Sequence, residues 1–236
     1  MIDTHCHLLP SVDDGCRDLK ESLDLAAQLV RTGVRHVVCT PHFSRRYVTE
    51  TTEAEDRLRE LSAALRAAGI PLGLTLAAEV ASATAAEASA ESLLARRIGP
   101  HHILVELEQA TPASALDLLL DRVEELNCVA VLAHPERCAA VRGHLRLIDA
   151  ARERGALVQI VAPSLVGRWG REAATAAWQL VRTGRADLLA SDAHRPRRGE
   201  MHLTPAIAQL ARQVAPSVIV ALTLERPAEL LGAHTR

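Results

Sequence analysis

The regular alternation of short apolar runs with longer stretches of helical periodicity most constrains the fold of this chain. The apolar runs are rich in β-branched residues and predict strands at 2–7, 35–40, 72–79, 102–107, 128–133, 156–161 and 187–191. Helices are predicted at 17–32, 50–68, 112–126, 141–154, 171–183, 202–213 and 225–232. Continuously apolar strands separated by helices indicate a parallel sheet with crossover helices. Seven such units in 236 residues fit a closed or distorted β/α barrel better than an open sheet.

The chain is expected to form one α/β domain over residues 1–236. Glycines stand just after four of the predicted helices, where a C′ glycine can end a helix; they are Gly33, Gly69, Gly155 and Gly184. A hydrophobic fraction of 48% excludes a disordered chain. No linker or low-complexity tract divides the sequence, and the alanine-rich stretch 77–90 is predicted to be a loop with a short helix.

Charge and cysteine content predict a cytoplasmic protein that binds neither nucleic acid nor a membrane. The net charge of −2 argues against a nucleic-acid or anionic-membrane surface. No signal peptide is visible, and the longest apolar run, 215–224, is much shorter than the roughly 20 residues that a membrane span needs. Five cysteines without a C-x-x-C pair are most simply reduced thiols.

One cysteine matches the C-x5-R spacing of thiol phosphatases, from Cys39 to Arg45. Such a loop must wrap a phosphate with successive backbone N–H groups. Pro41 removes one of these donors, and no glycine gives the loop freedom. A small buried cysteine that ends a strand is therefore the preferred interpretation of Cys39.

Ionisable residues concentrate at the C-terminal ends of the predicted strands, the edge on which α/β barrels build their active sites. His5 and His7 lie on one face of the first strand, about 7 Å apart along the backbone, and could converge on one ion. Asp3 shares this face and could accept a hydrogen bond from a ligating histidine. The complete candidate set is His5, His7, Asp14, His42, Glu79, Glu106, His134, Asp192 and His194.

Five histidines and four carboxylates exceed the needs of one tetrahedral site, so more than one ion is expected. Imidazole and carboxylate ligands without thiolate suit manganese, iron or zinc. Such clusters activate water and hold phosphoryl oxygens. Arg137 and the run Arg195, Arg197 and Arg198 could bind phosphate. The alternatives are a salt bridge at a helix start for Arg137 and a solvated loop for the run.

Five motifs in this order resemble the polymerase and histidinol phosphatase (PHP) superfamily. They are Asp3-Thr-His-Cys-His-Leu-Leu-Pro-Ser-Val-Asp-Asp-Gly15, Thr40-Pro-His42, Ala78-Glu-Val80, Ala133-His-Pro-Glu-Arg137 and Ser191-Asp-Ala-His194. Within the superfamily, the chain looks most like the bacterial manganese-dependent protein-tyrosine phosphatases of capsule and exopolysaccharide operons. The resemblance spans essentially the whole chain and implies a distorted seven-stranded β/α barrel with a trinuclear metal centre.

The resemblance also implies up to three bound Mn²⁺ ions, for which iron or zinc could substitute, and assigns ligands to each. The first ion would bind His5, His7, Glu79 and Asp192; the second, Glu79, Glu106 and His134; the third, Asp14, His42 and His194. A metal-bridging hydroxide would attack phosphorus in line, without a covalent enzyme intermediate. Arg137 and either Arg197 or Arg198 would steady the phosphoryl oxygens. Gln159 stands where related sequences usually have asparagine, and Arg226 also departs from the family pattern.

The implied substrate is phosphotyrosine in a protein, specifically the tail of a bacterial tyrosine kinase in polysaccharide export. The chain has only four aromatic residues, and Phe43 and Tyr47 closely follow His42, while Trp169 lies in the loop after the sixth predicted strand. Phe43 or Tyr47 is expected to line the substrate entrance and stack on the phosphotyrosine ring. Ordinary loop packing is the alternative, and the sequence leaves the oligomeric state open.

Other functions remain to be separated from this one. A PHP phosphomonoesterase for a small molecule such as histidinol phosphate would share the ligands, although Asp14 and the chain length favour the tyrosine enzyme. A TatD-type nuclease shares the opening motif, but His42 and the pair Asp192 and His194 argue against it, as does the lack of a basic surface for nucleic acid. An amidohydrolase with a carbamylated lysine is excluded because the only lysine, Lys20, lies in the first predicted helix. A non-catalytic binding module is the remaining alternative.

Overall fold

The computed structural model describes residues 1–196 and 203–232. In the first half of the chain the elements are β1 (Ile2–Cys6), α1 (Leu19–Arg31), β2 (His36–Cys39), β3 (His42–Phe43), α2 (Thr51–Ala67), β4 (Gly73–Leu76), β5 (Glu79–Ala81), α3 (Ser82–Glu87), α4 (Ala90–Leu94), β6 (His102–Glu106) and α5 (Ala113–Glu125). The second half contains β7 (Val129–Ala133), a 3₁₀ turn (Pro135–Arg137), α6 (Ala139–Gly143), α7 (Arg146–Glu153), β8 (Leu157–Val161), α8 (Ala162–Leu165), α9 (Gly170–Arg182), β9 (Leu188–Ala190), α10 (Thr204–Leu210), α11 (Pro216–Val220), a π-helical turn (Ala221–Glu225) and α12 (Arg226–Leu230).

The ladders between these strands are all parallel, which confirms the predicted α/β class. One sheet has the order β1-β2-β4, and the other has the order β3-β5-β6-β7-β8-β9. Register is regular along β6 and β7, where Ile103 pairs with Ala130 and Glu106 with Ala133. These strands are buried because helices cover them, as expected of parallel sheets.

The two sheets meet at their edges and curve round the same interior. The backbone N–H of His7 donates to the carbonyl of Ala193 (2.9 Å), and that of Asp192 donates to the carbonyl of His5 (3.0 Å). These bonds join the end of β1 to the segment that follows β9. The C-terminal ends of strands from both sheets therefore surround one space, although the ladder is not continuous between them.

The third predicted strand, 72–79, is divided in the structure. Ala77 and Ala78 separate β4 from β5, and their N–H groups donate to the carbonyls of Cys39 and Arg96. Glu79 therefore begins a strand of the larger sheet instead of ending the predicted one, and the short β3 pairs beside it, His42 opposite Glu79. Hydrophobicity could not show this break because the residues on both sides of it are apolar.

Helix ends follow local sequence signals in most places. The Asp18 side chain caps α1 by accepting from the N–H of Glu21, and Gly33, Gly69, Gly155 and Gly184 have positive φ just after their helices. The predicted helix 141–154 is instead two helices separated at His144. The predicted helix 225–232 is only the last of three short helical segments between Pro216 and Leu230.

The apolar faces of the helices pack on the sheets. Leu25 and Leu29 of α1 and Leu61 and Leu65 of α2 are buried at helical spacing. Within residues 1–196 and 203–232, no helix has the length and apolar character required to cross a bilayer.

Candidate metal centre

All nine candidate ligand residues converge in one cluster, and seven of them line a single cavity, while His5 and His7 are buried beneath it. His5 belongs to β1, and His7 and Asp14 follow it; His42 and Glu79 open β3 and β5. The other four stand at or just after the ends of β6, β7 and β9, namely Glu106, His134, Asp192 and His194. Strand direction explains the convergence of the residues at or after strand ends, since parallel strands deliver their last residues to the same rim. His42 and Glu79 instead join the cluster from the first positions of two short strands.

Four side chains form the centre of the cluster. The Nε2 atoms of His5 and His7 lie 3.3 Å apart. Glu79 Oε2 is 3.2 Å from the first and 3.4 Å from the second, and Asp192 Oδ1 is 3.5 Å from both. Both imidazole nitrogens thus lie close to carboxylate oxygens of Glu79 and Asp192, and divalent cations bind such mixed nitrogen and oxygen donors.

Glu79 extends the cluster in two further directions. Its Oε1 atom lies 2.8 Å from His134 Nε2, and its Oε2 atom lies 3.0 Å from His42 Nδ1. Glu106 Oε2 lies 4.0 Å from the same His42 nitrogen. Glu106 therefore groups with Glu79 and His42, whereas His134 groups with His5 and Asp192. The implied pairing of Glu106 with His134 does not emerge as one of these groups.

A third group of possible ligands faces the opening of the cavity. Asp14 Oδ1 lies 3.5 Å from Nε2 of His42 and 3.5 Å from Nε2 of His194. The His7 and His194 rings stack with centroids 3.9 Å apart. The side chain of Asp14 is 46% exposed, so this group can be reached from solvent.

Opposite charges in this buried cluster shift its pKa values strongly. Burial opposes protonation of His7, but the nearby carboxylates of Asp13, Asp192 and Glu79 outweigh it and raise the His7 pKa well above its ordinary value. Burial would raise the pKa of Glu79, yet His5, His134 and His42 lower it well below the usual range. A hydrogen bond from His194 lowers the pKa of Asp14 to about 2. The lowered pKa values of Glu79 and Asp14 favour the ionised carboxylates that bind cations, whereas burial raises the pKa of Glu106.

The surroundings of one buried atom suit a cation. Among the described residues, Glu79 Oε2 accepts no hydrogen bond of acceptable geometry, although imidazole nitrogens lie 3.0–3.4 Å away. A buried carboxylate oxygen without a donor costs free energy. A divalent cation between this oxygen and the imidazoles would remove that cost, so the residues present fit a metal ion.

Neighbouring side chains orient the central histidines. His7 Nδ1 lies 2.6 Å from Asp13 Oδ2, and His5 Nδ1 lies 2.8 Å from Gln159 Oε1. Both rings consequently direct Nε2 to the cluster. The prediction that Asp3 accepts a hydrogen bond from a ligating histidine ring was wrong. Its Oδ1 atom instead accepts from the backbone N–H groups of His5 and Ser191.

Two candidate ligands have a backbone conformation that L-residues rarely adopt. His134 has φ +32° and Asp192 has φ +51°. Strained residues of this kind persist where the surrounding structure fixes them, and they cluster at functional sites. Gly15 also marks a tight approach, since a Cβ atom there would stand 2.4 Å from the carbonyl oxygen of His7.

The cavity above the cluster has a volume of about 770 Å³ and a basic and aromatic wall. Arg137 Nη1 donates to Asp192 Oδ2 at 3.0 Å, and its guanidinium lies 4.3 Å from the centre of the Trp169 ring. Arg137 thus faces the cluster and pairs with Asp192. Ser44, Arg46, Glu108 and Arg168 also line the cavity, and no sequence motif marked them.

The two aromatic residues after His42 occupy different environments. Tyr47 lines the cavity and stacks on His42, with centroids 5.6 Å apart and planes 14° from parallel. Phe43 is buried on the other side of β3, 3.8 Å from the Arg96 guanidinium, because successive strand side chains point to opposite faces. Of the two residues, Tyr47 therefore lines the cavity and Phe43 packs in the core.

The arginine run after His194 is only partly described. Arg195 donates to the backbone carbonyls of Gly15 and Asp14, so it supports the loop that carries Asp14. Arg197 and Arg198, the expected phosphate contacts, lie outside the described residues.

The structure disfavours a cysteine nucleophile. Cys39 is fully buried at the end of β2, and burial raises its pKa. Arg45 pairs with Glu87 at the surface and does not approach this thiol. The C-x5-R spacing is therefore not a phosphate-binding loop.

Comparison with known proteins identifies relatives along most of this chain. A family model described as "Capsular polysaccharide synthesis, CpsB/CapC" matches residues 1–232. Tyrosine-protein phosphatase YwqE of Bacillus subtilis is 31% identical over 98% of this chain and 91% of its own length. Tyrosine-protein phosphatase CpsB of Streptococcus pneumoniae is 29% identical over 68% of this chain and 67% of its own.

The fold also matches a solved structure from work on YwqE and CpsB, which describes them as metal-dependent tyrosine phosphatases. The TM-score is 0.84 at 28% identity, over 100% of this chain and 96% of the other.

Proposed function

The chain belongs to the CpsB/CapC family of capsular polysaccharide synthesis proteins, and on this premise we propose that it is a metal-dependent protein-tyrosine phosphatase. The observation that carries the proposal is the close approach of the His5 and His7 imidazoles to carboxylate oxygens of Glu79 and Asp192, within 3.5 Å. Glu79 and Asp192 also line a cavity wide enough for an aryl phosphate. A metal cluster beneath such a cavity is typical of hydrolases that act on phosphate esters.

The proposed ligands are the nine residues of the cluster, holding up to three ions, with Mn²⁺ as the native metal. Imidazole and carboxylate donors suit Mn²⁺, and iron or zinc could occupy the same positions. Bound ions would supply positive charge to the phosphoryl oxygens and lower the pKa of water. Glu79 offers its two oxygens in different directions, so it is the proposed bridge between ions.

Arg137 is the proposed phosphate-binding residue of the cavity wall. Its guanidinium lies between Asp192 and the Trp169 ring, and stacking on the indole holds its plane fixed. A planar guanidinium in this position can donate two hydrogen bonds to a phosphoryl group. Arg197 or Arg198 is proposed as a second contact on the basis of the sequence resemblance alone.

The proposed substrate is phosphotyrosine in a protein, with Tyr47 beside the aromatic ring of the substrate. Tyr47 presents a face to the cavity next to His42, and this face can stack on a phenyl ring. The leaving group of this reaction is a phenol with a pKa of about 10, which departs more readily than an aliphatic alkoxide. An open cavity suits a tyrosine that projects from a flexible chain.

The biological role we propose is control of capsular or exopolysaccharide synthesis in the cytoplasm, by dephosphorylation of a bacterial tyrosine kinase tail. The names of the related proteins support a link to capsule synthesis and to phosphotyrosine. The kinase tail is proposed on the basis of the sequence resemblance alone. Residues 1–236 are proposed to form a single functional domain.

Phosphate release tests the proposed function. The purified protein, stripped with chelator and reloaded with Mn²⁺, is given a phosphotyrosine peptide, histidinol phosphate and short DNA in parallel. We expect Mn²⁺-dependent hydrolysis of the phosphotyrosine peptide, and a loss of about 100-fold or more in His42→Ala, since metal ligands contribute several kcal/mol. His144→Ala is the matched control because His144 is exposed at the end of α6. Preference for histidinol phosphate or DNA would contradict the proposed substrate.

A further inference from the structure

Two adjacent aspartates follow β1, and the structure places them in different surroundings. Asp14 is partly exposed and faces His42 and His194 across the cavity. The Asp13 side chain is fully buried behind His7. We propose that Asp13 is a positioning residue: its carboxylate fixes the His7 ring and the Asp14 turn for cation binding. This role rests on the proposed metal centre.

Each carboxylate oxygen of Asp13 has an assigned donor. Oδ2 lies 2.6 Å from His7 Nδ1 and accepts from the backbone N–H of His42 at 2.9 Å. Oδ1 accepts from the backbone N–H of Gly15 at 2.8 Å. An ionised carboxylate can only accept, so His7 must carry its proton on Nδ1. The neutral ring then has its lone pair on Nε2, the atom that faces Glu79 and Asp192.

The same carboxylate couples three members of the group at the mouth of the cavity, which comprises His7, Asp14, His42 and His194. It holds His7 through the ring nitrogen Nδ1 and His42 through the backbone N–H. It holds Asp14 through the turn, because Gly15 directly follows Asp14 and packs against the His7 carbonyl. One side chain thus fixes the relative positions of ligands from two separate loops.

The two central histidines differ in the groups that orient them. His5 is held by the neutral amide of Gln159, whose Nε2 in turn donates to Thr4 Oγ1 at 2.9 Å. His7 is held by the carboxylate of Asp13, which makes the imidazole a stronger ligand than an amide does. We therefore expect removal of the Asp13 charge to weaken cation binding at every position that uses His7.

Asp13→Asn tests this role because it preserves the size of the side chain. The amide can place its single oxygen on one side only, so its NH₂ must face either the His7 and His42 donors or the Gly15 N–H. Titration calorimetry with Mn²⁺ should show an affinity about 10–100-fold lower, while circular dichroism stays that of the wild type. Asp24→Asn is the control, since Asp24 is exposed and pairs with Lys20 on α1. An affinity within twofold of the wild type in Asp13→Asn would overturn the inference.

A second measurement applies even where Asp13→Asn does not fold. In Zn²⁺-loaded wild-type protein, ¹⁵N NMR of the histidine rings should show His7 protonated on Nδ1, and protonation on Nε2 would overturn the inference. The outcomes also separate the two proposals. A wild-type protein that binds no metal contradicts the proposed function, whereas metal binding that is equal in the wild type and Asp13→Asn contradicts only the role of Asp13.

Discussion

Glu79 and His134 lie in contact at the base of the cavity, with Oε1 of the carboxylate 2.8 Å from Nε2 of the imidazole. This contact leaves Oε2 to face His5, His7 and His42. A single buried carboxylate therefore lies within 3.4 Å of four of the five candidate histidine ligands. Loss of this one carboxylate should disturb more than one ion.

Glu79→Gln tests the shared role of this carboxylate. The substitution keeps the volume and removes the negative charge, so we expect metal content after dialysis to fall by more than one ion per chain. Turnover of phosphotyrosine peptide should fall by about 100-fold or more, because transition-state charge stabilisation by metals is worth several kcal/mol. Elemental analysis and kinetics measure both effects. Glu87→Gln on the surface of α3 is the control, and loss of only a single ion would contradict a bridging role.

Tyr47 and Phe43 provide a matched pair of aromatic substitutions. Tyr47→Ala should lower kcat/KM for phosphotyrosine peptide by about 2- to 12-fold, because a ring contact is worth about 0.5–1.5 kcal/mol. The same substitution should leave kcat/KM for aliphatic phosphates unchanged. Tyr47→Phe, which keeps the ring, should behave as wild type. Phe43→Ala should instead destabilise the fold by about 3–5 kcal/mol, because Phe43 is buried. Equal effects of Tyr47→Ala on aryl and aliphatic substrates would show that Tyr47 does not contact the substrate ring.

Proton release should accompany metal binding. In the metal-free protein, neighbouring carboxylates raise the pKa of His5, His7 and His42 against the effect of burial, so these rings retain protons near neutral pH. A cation binds the neutral imidazole and must displace those protons. Because these pKa values are higher in the folded than in the unfolded chain, protonation of the rings stabilises the metal-free fold fully below about pH 6.5. This stabilisation is lost as the pH rises through the pKa values of the folded state.

The increase in Tm on adding Mn²⁺ should therefore grow between pH 6 and pH 8. Thermal melts with and without metal measure it, and calorimetry in buffers of different ionisation enthalpy counts the protons released. A metal-induced Tm increase that is independent of pH would mean that the histidines are already neutral in the free protein.

The cysteines should be inert in the folded protein. All five are buried, and burial raises the pKa of Cys16 to about 12, so very little reactive thiolate forms at neutral pH. A disulfide-exchange reagent should modify less than one thiol per chain before denaturation and five after it. Cys39→Ala should retain full phosphatase activity. Loss of activity in this variant with an unchanged Tm would restore the thiol-phosphatase interpretation.

The sequence predicts the position of the site better than the contacts within it. Strand periodicity places His5, His134 and Asp192 at one rim, because parallel strands end on the same edge. It misplaces Glu79, since the break at Ala77 and Ala78 lies within an apolar run. Periodicity describes which residues are buried and carries no information about where a ladder changes its partner.

Side chains that orient the ligands were beyond prediction for a different reason. Gln159 reaches His5 from a strand 154 residues later in the chain, and only the closure of the fold brings them together. Asp13 is close in sequence, but two adjacent aspartates look equivalent until a loop buries one of them. Phe43 likewise became a core residue through the alternation of a two-residue strand, β3, that no pattern predicted.

The most direct test of the account is a crystal structure of the Mn²⁺-loaded protein with anomalous scattering data at the manganese edge. We predict anomalous peaks within coordination distance of Glu79, with one peak between His5, His7 and Asp192. A further peak is expected between Asp14, His42 and His194. Mn²⁺-loaded crystals without an anomalous peak beside Glu79 would contradict the proposed metal centre and the function built on it.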